Sequence, residues 1–112
     1  MKVREQLNGQ IVTLELSGKV MAGEDLTSFQ GLVQYYLGLN KNRFVIDFKG
    51  VDWMSSAGLG AMITAYTSVK KADGRLALAN ITNIQNLLNI TQLTRIFDTY
   101  DSRAEAIKAV EG

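Results

Sequence analysis

Histidine, cysteine and proline are all missing from this 112-residue sequence. Without His there is no imidazole base, no Ser-His-Asp or Cys-His pair and no His-ligated metal. Without Cys there are no disulfides, no thiolate chemistry and no Cys zinc site. Without Pro, chain punctuation falls to 10 Gly and to Asn, Asp and Ser. Neither sign of charge dominates, with 12 Lys+Arg against 11 Asp+Glu, and no basic stripe suggests nucleic acid. No apolar run approaches the about 20 residues of a membrane span, and the opening MKVREQLNGQ has no apolar signal-peptide core. The expected setting is the cytoplasm, with no direct membrane contact. These absences remove most enzyme classes and leave binding and switching. No catalytic residue, cofactor or metal is expected.

What is present reads as one α/β domain over residues 1–112. Residues 2–7 and 11–17 form two strands around Asn8-Gly9, a hairpin signal because both residues tolerate positive φ. Val12, Leu14 and Leu16 alternate with polar residues and mark an inner face. A first helix begins near Gly23-Glu24-Asp25, carries Leu26, Phe29, Leu32, Val33 and Tyr36 at helical spacing, and ends by Gly38 to Asn40. Phe44 to Phe48 fits a strand buried on both faces, followed by a short loop with Gly50, Asp52 and Trp53. A second helix runs from about Ala57 to Lys71 and is closed by Asp73-Gly74. Leu76 to Ala79 is another strand, followed by a third helix with Asn80 or Thr82 as its cap. A last strand covers Ile96 to Tyr100. A fourth helix opens on a Ser102/Glu105 capping box, with Ala106, Ile107 and Val110 inward. The order β-β-α-β-α-β-α-β-α predicts a mostly parallel central sheet with an N-terminal hairpin and about four helices.

Several motifs fail on spacing. Gly58-Leu59-Gly60 opens a helix after a strand, but a dinucleotide fingerprint needs a third glycine where Ile63 stands. Gly18-Lys19 is followed by Val20, and Thr13 occupies the earlier glycine position of a phosphate loop. Asp47 and Asp52 invite comparison with a catalytic or magnesium pair, but no further acidic cluster supports them. The simpler reading is a hydrogen-bonding aspartate at a strand end and a solvated one.

The segment DWMSSAGLG, Asp52 to Gly60, is different. Two serines precede a helix whose first turns hold only small residues and Leu59, which leaves backbone N–H groups open. One serine suffices as an N-cap. Trp53 and Met54 beside them are large and apolar, near the C-terminal edge of a strand, where open α/β sheets meet ligands and partners.

FVIDFKGVDWMSSAGLGAMITAY resembles the signature of STAS domains, specifically the small bacterial anti-sigma factor antagonists. LELSGKV and LLNITQLTRIF are similar to further family segments, so the resemblance spans nearly the whole chain. It implies a STAS fold and phosphorylation at Ser56, with Ser55 the alternative acceptor. Asp47 matches the strand aspartate, and Gly58, Leu59 and Gly60 match the helix-opening triplet. Three positions depart from the pattern: Ser55 stands where aspartate is usual, Ala57 replaces a second hydroxyl residue, and Gln92 replaces a glycine.

The implied mechanism is partner switching. The unmodified surface around Trp53, Met54, Ser55, Ser56, Ala57, Gly58 and Leu59 docks on an anti-sigma factor with serine kinase activity. Phosphorylation ends docking, and a serine phosphatase resets the cycle. The alternative keeps the fold without the switch, as a scaffold subunit of a transporter or signalling complex. Ser55 in place of aspartate favours that alternative.

Overall fold

Gly9 takes φ 63 and, with Gln10, turns β1 (Lys2–Asn8) directly into β2 (Ile11–Val20): the expected hairpin forms, but Asn8 is already strand, paired with Ile11, so the turn is Gly9-Gln10 rather than Asn8-Gly9. The computed structural model describes residues 1–21 and 23–111; Ala22 and Gly112 lie outside the described residues. After β2 come α1 (Glu24–Gly38), β3 (Arg43–Met54), α2 (Ser56–Lys71) and β4 (Arg75–Ala79). A 3₁₀ turn, Thr82–Ile84, leads into α3 (Gln85–Ile90). A second turn, Leu93–Arg95, precedes β5 (Asp98–Tyr100) and α4 (Arg103–Glu111). The strands lie side by side in chain order, with β1 antiparallel to β2 and the remaining pairs parallel. This is the mostly parallel sheet, N-terminal hairpin and four helices that the sequence pattern predicts.

Strand alternation divides the core between the two faces of the sheet. Val12, Leu14 and Leu16 of β2 join Phe44, Ile46 and Phe48 of β3 against Phe29 and Val33 of α1, Met62 and Ala65 of α2, and Leu88 of α3. The opposite face is thinner: Ile11, Val45, Ala77 and Ala79 pack on Ala106 and Val110 of α4. All five residues from Phe44 to Phe48 are buried, as a strand covered on both faces requires. The folded surface of 6155 Å² matches the roughly 6,000 Å² that size scaling gives for this mass.

Three local expectations after the hairpin need correction. β3 does not stop at Phe48; the stretch read as a loop with Gly50, Asp52 and Trp53 is strand as far as Met54. Neither Asn80 nor Thr82 caps α3, whose N-terminal end has no side-chain cap. Asn80 instead takes φ 56 and turns its amide onto Asp47. The last strand starts at Asp98, because Ile96 and Phe97 complete the preceding turn by donating their N–H groups to the Leu93 carbonyl. The fourth helix follows its pattern: Ser102 Oγ accepts the Glu105 N–H at 3.1 Å.

Candidate functional site

β4 ends at Ala79, paired with Asp47, but β2 and β3 continue together beyond that point. Ser17 pairs with Gly50, Gly18 with Val51, Lys19 with Trp53 and Val20 with Met54, through two register shifts. The Ser55 N–H adds one more rung, donating to the Val20 carbonyl at 2.8 Å. The chain then turns straight into α2, so the helix starts against the ends of two strands.

Ser55 is the N-cap of α2, in extended conformation (φ −82°, ψ 170°). Its Oγ accepts the Gly58 N–H at 3.0 Å and donates to the Met21 carbonyl. Its own carbonyl accepts the Leu59 N–H at 2.9 Å. Among the described residues the N–H groups of Ser56 and Ala57 remain as free first-turn donors. Ser56 is exposed, and among the described residues its hydroxyl makes no hydrogen bond. Gly58 is buried where no side chain fits. A Cβ there would lie 2.8 Å from Met54 Cγ, 2.8 Å from Val20 Cγ1 and 2.9 Å from the Val20 oxygen. This glycine serves close helix–strand packing. Gly58 is thereby explained without a nucleotide, whereas nothing stands within 4 Å of a Cβ added at Gly60.

A groove of about 660 Å³ opens beside Ser56. Met21, from the end of β2, and Trp53 contribute one part of its lining. Asn83, Asn86 and Leu87, from the β4–α3 connection and α3, contribute another. Met54 and Ile84 are almost fully buried beneath it. Among the described residues no charged side chain lines it. Trp53 is 50% exposed and Met21 44%, an unusual amount of apolar surface to leave in water, and both also wall an adjoining hollow with Lys19 and Asp52. Asn83 fixes the far side, its Nδ2 donating to the Val51 carbonyl at 2.9 Å on the β3 edge that β4 leaves unpaired.

Of the residues singled out from the sequence, Trp53, Ser56 and Ala57 are exposed together, and Ser55 is half-buried behind them. Met54, Gly58 and Leu59 are buried and shape the surface from beneath. Met21, Asn83, Asn86 and Leu87 were not singled out. The signal that could have found them is topological: in a parallel sheet, the ends of β2 and β4 flank the end of β3 on either side.

Asp47 stands apart from the groove. It is 2% exposed and ringed by donors: the Asn80 amide and the Lys49 N–H at 2.9 Å each, and Arg103 Nε at 2.8 Å. Burial opposes ionisation, but the hydrogen bonds from Asn80, Lys49 and Arg103, with the guanidinium charge, hold its carboxyl below the usual range. Arg103, at the start of α4, also pairs with Glu15 of β2. The group therefore ties α4 across β2, β3 and β4. Asp52 is exposed five residues further along the strand, about 15 Å away, so the two aspartates do not converge. Among the described residues no three His, Cys, Asp or Glu side chains cluster as metal ligands, and no helix is long and apolar enough to cross a membrane.

A search of curated protein sequences finds no match. Among solved structures, a Thermotoga maritima protein described as an anti-sigma factor antagonist superimposes with a TM-score of 0.88 at 22% identity, covering 98% of this chain and 95% of its own. The Bacillus anti-sigma factor antagonist SpoIIAA, in its unphosphorylated form, gives a TM-score of 0.79 at 16% identity, covering 99% of both chains. A sulfate transporter family protein from Wolinella succinogenes gives 0.69 at 14% identity, covering 95% of this chain and 88% of that one. At these identities the likeness is one of fold. A family model for the STAS domain matches residues 2–106, nearly the full length of the sheet and its helices, and the chain therefore belongs to the STAS domain family.

Proposed function

We propose that this chain is an anti-sigma factor antagonist that catalyses nothing itself and is switched by phosphorylation of Ser56. The observation that carries the reading is the placement of Ser56. Its unengaged hydroxyl stands exposed in the first turn of α2, at the rim of an uncharged, largely apolar groove. Unmodified, Trp53, Met21, Ala57 and Leu87 offer a neutral surface to an anti-sigma factor with serine kinase activity. A phosphate on Ser56 adds about −1.5 to −2 charge. Within this chain that charge is stabilised by the Ser56 and Ala57 N–H groups and by the α2 dipole. Against an apolar partner surface it has no counter-charge, because no cation lines the groove, so docking must desolvate it. A serine phosphatase restores the neutral form.

The engagement of the Ser55 hydroxyl at both Gly58 and Met21 makes Ser56 the better acceptor. The test is calorimetric binding to the cognate anti-sigma factor. Ser56→Ala keeps the affinity and Ser56→Asp lowers it at least tenfold; equal affinities refute the charge mechanism. A second reading is favoured by Ser55 in place of aspartate and by the fold shared with a transporter family protein: a scaffold that is never phosphorylated. On that reading both variants bind their complex equally.

A further inference from the structure

The Ser55 hydroxyl joins two segments that no other side-chain hydrogen bond among the described residues connects at this end of the sheet. Its lone pair takes the Gly58 N–H of α2, and its proton goes to the carbonyl of Met21, where β2 has just ended. Met21 is 44% exposed and forms, with Trp53, part of the groove and of the adjoining hollow. Backbone pairing of β2 with β3 stops at Val20 and Met54, and the Ser55 N–H is spent on the Val20 carbonyl. Among the described residues the ladder therefore gives the Met21 carbonyl no partner, and the hydroxyl donates to it.

We propose that Ser55 is a positioning residue, a donor–acceptor latch that holds the Met21 side of the groove against the start of α2. The two halves of the latch are chemically separable. Any N-cap oxygen accepts the Gly58 N–H, but only a hydroxyl also donates to a carbonyl. An aspartate at residue 55 caps the helix and turns a carboxylate toward the Met21 oxygen, where two acceptors repel. The inference takes the groove from the functional reading above, yet it concerns the free chain, so its test involves neither a kinase nor a partner.

The test compares Ser55→Thr, Ser55→Asp and Ser55→Ala by two readouts on the isolated protein. Amide exchange at Gly58 reports the cap. Acrylamide quenching of Trp53, the one tryptophan in the chain, reports the Met21 wall. Ser55→Ala lowers Gly58 protection about fivefold and raises Trp53 quenching. Ser55→Asp keeps Gly58 protection but raises quenching toward a limit of about twofold, since half of the Trp53 surface is already exposed. Ser55→Thr restores both. The split in Ser55→Asp is what a cap alone does not produce, and native folding of each variant is checked by circular dichroism. Wild-type quenching in Ser55→Asp overturns the latch, as does a failure of Ser55→Thr to restore it. Phosphorylation of Ser56, or its absence, leaves these outcomes unchanged.

Discussion

Replacing Gly58 by alanine adds one methyl group at the tightest point of the site. The new carbon meets Met54 Cγ and Val20 Cγ1 at 2.8 Å and the Val20 oxygen at 2.9 Å. Val20 is fully buried, its oxygen already accepts the Ser55 N–H, and Met54 is held under the groove. None of these atoms is the free end of a flexible side chain, so α2 must move away from β2 and β3. Overpacking of this kind costs about 1–3 kcal/mol, and the preference of a helix for alanine over glycine returns at most about 1 kcal/mol. With the full return the net loss is about 0–2 kcal/mol. Gly60 is the internal control: it lies one half-turn on in the same helix, and nothing stands within 4 Å of its added Cβ. Gly60→Ala should therefore stabilise by about 0.5–1 kcal/mol. The helix preference is common to both variants, so they differ by the overpacking cost of about 1–3 kcal/mol, which for a chain of this size separates their Tm values by about 4–13 °C. Thermal unfolding followed by circular dichroism measures this directly. Equal Tm values for Gly58→Ala and Gly60→Ala would refute the packing role of Gly58.

Three further outcomes follow from the polar groups. Arg103→Ala removes the cation from Asp47 and Glu15 but leaves Asp47 its bonds from Asn80 and Lys49, so urea unfolding should show a loss of about 1–3 kcal/mol. Because the folded Asp47 carboxyl ionises below its unfolded value of 3.8, its contribution is present above that pH and disappears as pH falls through the lower folded value. Asp47→Asn should flatten stability over that acid range. Tyr36 donates to Glu5 at 2.5 Å, and this bond, with burial, pushes its hydroxyl up to about 12. That contribution is complete below the unfolded value of 10.0 and is lost as pH rises through about 12. Tyr36→Phe should cost about 1 kcal/mol near neutrality and remove one late step from the ultraviolet titration of the tyrosines.

The elements that carry a local signal were readable from the chain itself. Asn8-Gly9 announced its hairpin to within one residue, the buried run from Phe44 to Phe48 its central strand, and Ser102 with Glu105 its helix start. The far half of β3 was not legible, because Lys49, Gly50 and Asp52 break the alternation; it is strand only because β2 accompanies it through two register shifts. Asn80 looked like a cap because its sequence position suits one, but the buried Asp47 carboxylate, 33 residues away, claims its amide. The serine pair pointed to the site, whereas the groove beside it is assembled from three segments that meet only in the folded sheet. Met21 and Asn83 carry no motif, and parallel strand order alone puts them next to Trp53 and Val51. The pairing of Glu15 with Arg103 spans 88 residues and has no local trace.

The central claim is that Ser56 receives a phosphate and Ser55 does not. Incubating the chain with its cognate kinase and ATP, followed by peptide mapping by mass spectrometry, tests it directly. The account predicts one phosphate per chain, on Ser56, and none on the Ser56→Ala variant. Phosphate on Ser55 or elsewhere, or a chain that stays unmodified, would contradict it.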